Sequence, residues 1–87
     1  MKIKLFGNLR QKAGQAEWAA SGDTLREALD HLCAANEPLR AAIFADDTLQ
    51  PHVRVMVNGR DAELDQGLET SVIAGDQIAI FPPIAGG

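Results

Sequence analysis

The stretch that decides the fold is TLREALDHLC, residues 24–33. Its apolar residues recur at positions i, i+3, i+4, i+7 and i+8, which predicts a helix with one buried stripe. Thr24 and Glu27 have the spacing of a capping box, so the helix is expected to begin directly after Thr24. Asn36 and Pro38 are expected to end it. The sequence therefore predicts one well-defined amphipathic helix in the first half of the chain.

Strand-like segments lie on both sides of this helix. Residues 2–6 (KIKLF) and 53–57 (VRVMV) alternate polar and apolar side chains with a period of two, which is typical of half-buried strands. Residues 16–20 are predicted to pair antiparallel with the first strand, and residues 77–81 (QIAIF) form the last one. Asn58-Gly59 predicts a hairpin turn, because both turn positions need positive φ. This order of elements predicts a sheet packed on one side of the helix.

The remaining segments are predicted to be short elements and loops. Residues 9–13 indicate one helical turn, residues 39–44 a short helix or turn, and residues 60–63 the return strand of the hairpin. Asp46-Asp47 is predicted to begin a loop, and Gly75-Asp76 to make a turn. The later loop is expected to bury its apolar residues, Leu68, Val72 and Ile73.

The size of the chain limits what it can do alone. Its 87 residues, or 9.3 kDa, allow one domain. A chain of this mass hides a little over ~60% of its unfolded surface, which is enough for one modest core and leaves little room for a catalytic pocket. The apolar fraction of 46% and the charged fraction of 23% are ordinary for a globular domain and disfavour disorder, collagen and coiled coil.

The interior of the sequence contains no recognisable catalytic or metal-binding motif. His31 and His52 lack the i, i+4 spacing of a helical metal pair, and Ser21 and Ser71 lack a nucleophile-elbow motif. Cys33 is the single cysteine and cannot form an intramolecular disulfide. Its place on the apolar stripe predicts a buried, unreactive side chain. We therefore expect no bound metal and no catalytic site within the domain.

Charge and hydropathy restrict the partners and the compartment. The net charge is −4, and the imbalance lies in residues 39–87, where the acidic side chains outnumber the basic ones. This disfavours nucleic acid as a partner and favours a basic protein surface, with simple solubility as the alternative. If the acidic half guides docking, association should weaken as salt rises. No signal peptide or membrane-length apolar run is visible, so the cytoplasm is the expected compartment. The acidic residues within residues 39–87 are Asp46, Asp47, Asp61, Glu63, Asp65, Glu69 and Asp76.

The most informative feature is the segment FPPIAGG, residues 81–87. Pro82 and Pro83 cannot donate to a strand ladder, so they end the last strand, and their fixed φ favours an extended exit. The glycines that follow let the backbone pass where a side chain would clash. The segment is predicted to be a thin probe that enters a narrow active site of another protein. The alternative is a frayed terminus without function.

These features together resemble the MoaD/ThiS family of ubiquitin-like sulfur carriers, and the resemblance covers nearly the whole chain. It is carried by LFGNLR at residues 5–10, TLREAL at 24–29, VMVNGR at 55–60 and, most strongly, GDQIAIFPPIAGG at 75–87. The resemblance implies a β-grasp fold. In that α+β domain, residues 1–81, a mixed sheet of four to five strands packs on one main helix. An extended tail, residues 82–87, follows the domain.

The chemistry of this family implies a role for each residue of the tail. An adenylating enzyme of the ubiquitin-activating type uses ATP and Mg²⁺ to form an acyl-adenylate on the carboxylate of Gly87. Sulfur from a persulfide donor then converts it to a thiocarboxylate. Gly86 would give access to the reacting carbon, and the partner's channel would be lined by Pro82, Pro83, Ile84 and Ala85. The carrier itself would hold no permanent cofactor and would be a sulfur-donating subunit rather than an enzyme.

The resemblance leaves the partner and the acceptor open. Phe6 and Phe81 are expected to contact the partner near the base of the tail, although core packing is the commoner role of such residues. The tail most resembles that of the small subunit of molybdopterin synthase, so the large subunit would accept the sulfur. Residues 39–57 resemble instead longer carriers, some of which deliver sulfur for cysteine or secondary-metabolite synthesis, and thiamine thiazole and tRNA thiolation are further alternative pathways. A ubiquitin-like modifier joined to lysines and a plain interaction module are the remaining alternatives.

Overall fold

The structure is a computed structural model that describes residues 1–83. The strands are β1 (Lys2–Leu5), β2 (Glu17–Ala19), β3 (Phe44–Ala45), β4 (Thr48–Leu49), β5 (Arg54–Val57), β6 (Arg60–Asp61) and β7 (Gln77–Phe81). The helices are α1 (Gly7–Ala13), α2 (Leu25–Ala35) and α3 (Glu37–Ile43). Two 3₁₀ turns, Ala62–Leu64 and Gly67–Glu69, lie between β6 and β7.

Five of the strands form one mixed sheet in the order β2-β1-β7-β5-β6. β1 and β7 run parallel, with Leu5 opposite Ile80. The pairs β1–β2, β5–β6 and β5–β7 are antiparallel. Parallel neighbours cannot be joined by a tight hairpin, and the long connection between β1 and β7 here contains the helices. The predicted α+β class and the β-grasp fold with a five-stranded mixed sheet are therefore confirmed.

The sheet has one buried face and one open face. The apolar stripe of α2 is buried as predicted and consists of Leu25, Ala28, Leu29, Leu32 and Cys33. It belongs to the same core cluster as the inward residues of the central strands, among them Ile3, Val55 and Ile80. The residues that alternate with these along the strands form the open face, which we define as Lys2, Lys4, Arg54, Met56, Gln77, Ala79 and Phe81.

The first turn of α2 confirms the predicted cap. The backbone N–H of Glu27 donates to Thr24 Oγ1 at 3.2 Å. The Glu27 carboxylate accepts a hydrogen bond from the backbone N–H of Asp23 at 2.9 Å, one residue before the position that a standard capping box uses. The first bond satisfies an N–H group that the helix itself leaves without a partner, and the second ties the residue before the cap to the first turn.

Residues 36–49 contain more regular structure than the sequence indicates. Asn36 ends α2 as expected, but Pro38 does not: it lies in the first turn of α3, where a missing N–H costs nothing. The predicted loop at Asp46-Asp47 is instead the turn of a small hairpin in which Phe44 pairs with Leu49. Its two strands have two residues each, which is too short to show an alternating pattern.

The hairpin that follows β5 is confirmed at its turn and shorter than expected beyond it. Asn58 and Gly59 have φ of 52° and 82°, as their sequence requires. The return strand β6 contains only Arg60 and Asp61, whereas residues 60–63 were expected. The Asp61 carboxylate accepts a hydrogen bond from the Glu63 N–H at 3.0 Å, and this local bond favours a 3₁₀ turn over continued pairing.

The loop before β7 buries two of the three apolar residues expected there. Leu68 and Val72 lie in the core, but Ile73 is 69% exposed, so the prediction for Ile73 is wrong. Its backbone N–H donates to the Asp76 carboxylate at 2.8 Å, and Asp76 N–H donates to the Ile73 carbonyl at 3.0 Å. These bonds hold Ile73 in the tight turn that leads into β7.

Candidate functional site at the base of the tail

The candidate site is the tail base, which we define as Phe6, Gly7, Phe81, Pro82 and Pro83. Phe81 is the last residue of β7 and lies opposite Arg54 of β5. Phe6 directly follows β1 and donates its backbone N–H to the Ile80 carbonyl at 3.2 Å. The tail base therefore lies at the edge of the sheet where the parallel strands β1 and β7 end together.

Phe6 and Phe81 form a stacked aromatic pair on the surface. Their ring centroids are 4.5 Å apart and their planes differ by 11°. The two residues are 40% and 38% exposed, because the alternation that buries Leu5 and Ile80 turns their neighbours to the open face. Core packing, the alternative role, is therefore wrong for both rings. Their role as partner contacts stays a prediction.

Gly7 and Pro82 approach each other too closely for any side chain to lie between them. Gly7 has φ of 58°, in the left-handed region that favours glycine. A Cβ on Gly7 would lie 2.8 Å from Pro82 Cγ and 3.5 Å from Pro82 Cδ. The sequence marks Gly7 only as the end of the first strand. The contact arises from the parallel pairing of β1 with β7, which no short-range pattern encodes.

The open face beside Phe81 contains a shallow depression of about 480 Å³. Met56 lies opposite Ala79 in the sheet, and Ala79 lies opposite Lys4, so side chains from three neighbouring strands line it. The result is an apolar surface with one cation at its edge, continuous with Phe81. Met56 was not among the predicted site residues, although the alternation of residues 53–57 places it opposite the buried valines.

A second depression, of about 380 Å³, lies on the other side of the tail base. Pro82 and Pro83 line it together with residues of α1 and α3, including Lys12 and Ala41. Among residues 1–83, the lining of neither depression includes a carboxylate. The cations beside the tail base are Lys4, which pairs with Glu17 at 3.8 Å, Lys12, and Arg54, which lies opposite Phe81.

Two acidic residues of the second half, Asp76 and Asp61, lie in different positions relative to the tail base. Asp76 directly precedes β7, so the full length of that strand separates it from Phe81. Its pKa is lowered by a hydrogen bond from the Asn58 side chain and by another from the Ile73 N–H. Asp61, whose side chain is only 18% exposed, pairs with the exposed guanidinium of Arg54 at 3.6 Å. The hypothesis that acidic residues guide docking stays a prediction.

The other candidate groups have structural roles. Burial raises the pKa of the Cys33 thiol to about 11, so the thiol stays protonated at neutral pH. His31 accepts a hydrogen bond through Nδ1 from the Ser21 N–H at 3.0 Å. Within residues 1–83 no three His, Cys, Asp or Glu side chains are grouped as metal ligands would be. The helices of this same part of the chain lack the length and apolar content that a membrane crossing requires.

Half of the predicted site residues can be placed. The structure brings Phe6, Phe81, Pro82 and Pro83 together at the tail base. Ile84, Ala85, Gly86 and Gly87 lie outside the described residues.

Known proteins are similar to this chain in sequence and in fold. A family model described as the ThiS family matches residues 3–87. The chain belongs to the ThiS family. Small archaeal modifier protein 1 of Haloferax volcanii is 37% identical over 91 residues, which cover 100% of both chains. Sulfur carrier protein CysO of Mycobacterium tuberculosis is 32% identical over 77 residues, which cover 85% of this chain and 83% of CysO.

A solved structure agrees with the ThiS-family assignment. A chain in the crystal structure of the Amycolatopsis orientalis BexX/CysO complex matches with a TM-score of 0.90 and 29% identity, covering 99% of this chain and 98% of that one. The resemblance to ubiquitin-like sulfur carriers is therefore confirmed at the level of family and fold. The relatives are named both as sulfur carriers and as modifiers.

Proposed function

We propose that this chain is a sulfur carrier whose Gly87 carboxylate is adenylated and then converted to a thiocarboxylate. The observation that carries the proposal is the ThiS-family match, which continues through β7 and the tail base to Gly87. The CysO relative, named as a sulfur carrier, supports the same role.

The chemistry needs one reactive group from this chain and takes the rest from its partners. The Gly87 carboxylate attacks the α-phosphorus of ATP, with Mg²⁺ held by the adenylating enzyme, and pyrophosphate leaves. The terminal sulfur of a persulfide donor attacks the acyl carbon and expels AMP. A thiol of the partner then cleaves the acyl disulfide, which leaves the thiocarboxylate on Gly87 and a disulfide on the donor. Gly86 has no side chain to obstruct these attacks.

The described residues support a docking role for the domain. Aromatic side chains, including phenylalanine, are enriched in protein interfaces, and Phe6 and Phe81 present two of them side by side. Met56 and Ala79 extend this apolar surface across the open face. We propose that the adenylating enzyme binds this surface and the tail base while Pro82, Pro83, Ile84 and Ala85 line its channel.

Intact-mass measurement tests the carrier function. Protein isolated from its native cell should contain a fraction whose mass has increased by the exchange of one oxygen for sulfur. Deleting Gly87 should abolish that fraction, whereas a Gly14→Ala variant, altered far from the tail, should retain it. A wild-type protein that shows no such exchange after incubation with its adenylating enzyme, ATP, Mg²⁺ and a persulfide donor would contradict the proposal.

For the acceptor, we propose the large subunit of molybdopterin synthase, on the resemblance of residues 81–87 to the tail of the small subunit. The test is reconstitution. Thiocarboxylated protein mixed with that large subunit and its cyclic pyranopterin should produce the dithiolene and regenerate the Gly87 carboxylate. Sulfur transfer to a cysteine-forming, thiazole-forming or tRNA-thiolating enzyme, and not to the pterin, would assign the carrier to another pathway.

A ubiquitin-like modifier is the second candidate function, because the relative at 37% identity is named small archaeal modifier protein 1. In that function a lysine amine attacks the activated Gly87 carbonyl in place of the persulfide, and an isopeptide bond forms. Mass spectrometry of tryptic peptides from the native cell distinguishes the two functions. Lysines that carry the C-terminal residues of this chain indicate conjugation, and their absence beside a clear thiocarboxylate fraction indicates a carrier only.

A further inference from the structure

We infer that Gly7 is a positioning residue for the tail: it leaves room for the Pro82 ring and thereby sets the direction in which the chain leaves the domain. The consequence for activation rests on the proposed function, whereas the consequence for the direction of the chain does not. The role concerns a residue near the N-terminus that is far from the tail in sequence and has no reactive group.

The strand that leads to Pro82 is held in place by its pairing within the sheet. The Phe6 N–H holds the Ile80 carbonyl at 3.2 Å, and Phe81 lies opposite Arg54. Two further contacts, outside the strand pairing, affect the direction of the chain after Phe81. They are the stack of Phe81 on Phe6 and the approach of Pro82 to Gly7. The second contact brings the ring against the backbone at the start of α1, which is possible only because residue 7 has no Cβ.

A methyl group at position 7 would displace the ring by a definite amount. The added Cβ would lie 2.8 Å from Pro82 Cγ, and ordinary contact begins at 3.4 Å, so the ring would have to move by about 0.6 Å. Pro82 and Pro83 have fixed φ angles and pass a tilt on along the chain. The ring movement would therefore change the direction in which the chain leaves Pro83. A misplacement of about 1 Å at a reacting atom can cost on the order of 100-fold in rate.

Backbone strain at Gly7 must be separated from the contact with Pro82, and the chain offers a matched control. Gly14 has φ of 81°, also in the left-handed region, and lies at the other end of the same helix. A Cβ on Gly14 would meet nothing within 4 Å. Gly14→Ala therefore imposes comparable backbone strain on α1 without touching the tail base. Pro82→Ala removes the Cγ and Cδ atoms with which a residue 7 side chain would collide.

The kinetic experiment measures adenylation of four variants by the adenylating enzyme, as ATP–pyrophosphate exchange. Gly7→Ala should lower kcat by roughly 10- to 100-fold with a smaller change in KM, since the Met56 and Ala79 surface of the open face is unchanged. Gly14→Ala should leave kcat unchanged. In the Pro82→Ala background, adding Gly7→Ala should cause little further loss. Equal losses for Gly7→Ala and Gly14→Ala, or an undiminished loss in the Pro82→Ala background, would overturn the inference.

A second readout does not depend on activation. Backbone residual dipolar couplings of Ile84 and Ala85 report the direction of the chain beyond Pro83, and they should differ between wild type and Gly7→Ala but not between wild type and Gly14→Ala. Unchanged couplings in Gly7→Ala would overturn the inference even if the carrier is active. Altered couplings in a protein that is never adenylated would overturn the proposed function alone. Should Gly7→Ala fail to fold, Pro82→Ala serves in its place and is expected to change the same couplings.

Discussion

Replacing Phe81 with alanine should weaken docking of the adenylating enzyme while leaving the domain folded. Truncating a fully buried phenylalanine costs about 3–5 kcal/mol, but Phe81 is 38% exposed. Scaling by the buried fraction gives a loss of about 2–3 kcal/mol, which includes the roughly 0.5–1.5 kcal/mol of a stacked aromatic pair. A domain of ordinary stability, about 5–15 kcal/mol, tolerates that loss.

The binding loss is expected to be at least as large as that of an aromatic interface anchor. Such anchors contribute about 2 kcal/mol or more when truncated, which corresponds to a Kd about 30-fold weaker. Isothermal titration calorimetry of the variant with the adenylating enzyme gives the Kd, and urea unfolding gives the change in stability. Both measurements use the same preparations, so a binding loss caused by unfolded protein would be visible as reduced stoichiometry.

Ile73→Ala is the matched control for Phe81→Ala. Ile73 is also a large exposed apolar residue, 69% exposed, but it precedes β7 and lies at the opposite end of that strand from the tail base. Its truncation should change stability by no more than about 0.5 kcal/mol and leave the Kd unchanged. The docking role of Phe81 is refuted if its truncation leaves the Kd unchanged, or if Ile73→Ala weakens binding to the same extent.

Three further predictions concern the fold. Cys33 should resist thiol reagents at about pH 8 in the folded protein, because burial raises its thiol pKa to about 11 and removes the reactive thiolate; fast labelling before unfolding would contradict this. Asp76→Asn should lower stability at neutral pH but not in strong acid. The folded pKa of Asp76 lies below 3.8, so the contribution of its carboxylate to stability is complete above that value and is lost as the pH falls through the folded pKa. Melting temperatures of wild type and variant, measured as a function of pH, test this. Parallel curves for the two proteins would refute it. Thr24→Ala should cost about 1 kcal/mol in urea unfolding, and Thr24→Ser, which keeps the hydroxyl, should cost clearly less.

The elements that were predictable are those whose signal is local. α2 has a cap, a full apolar stripe and a stop within a dozen residues, and β1, β5 and β7 alternate over four or five residues each. Asn58-Gly59 determines its own turn through the positive φ of both residues. In each case the physical requirement of the element is satisfied by neighbours in sequence, so the pattern and the structure agree.

The elements that were not predictable depend on contacts between distant parts of the chain. The strands β3 and β4 are too short to show an alternating pattern. Proline is expected to stop a helix that precedes it, but it is also favoured in the first turn of a helix, and Pro38 lies in the first turn of α3. At the candidate site, Phe6 and Phe81 were predicted as residues near the tail, but their stacking follows from the parallel pairing of β1 with β7. The approach of Pro82 to Gly7 has the same origin.

The position of the tail base on the sheet has a mechanical consequence. β7 is the central strand, bonded to β1 on one side and to β5 on the other. Strand and chain ends ordinarily open locally at little free-energy cost, but opening the end of β7 requires breaking ladder contacts with two neighbours and separating Phe81 from Phe6. An edge strand such as β2 or β6 would have one neighbour to lose. A partner that binds the chain beyond Pro83 therefore binds next to a part of the sheet that does not open easily. The free energy of binding at the tail is not reduced by a cost of ordering the domain.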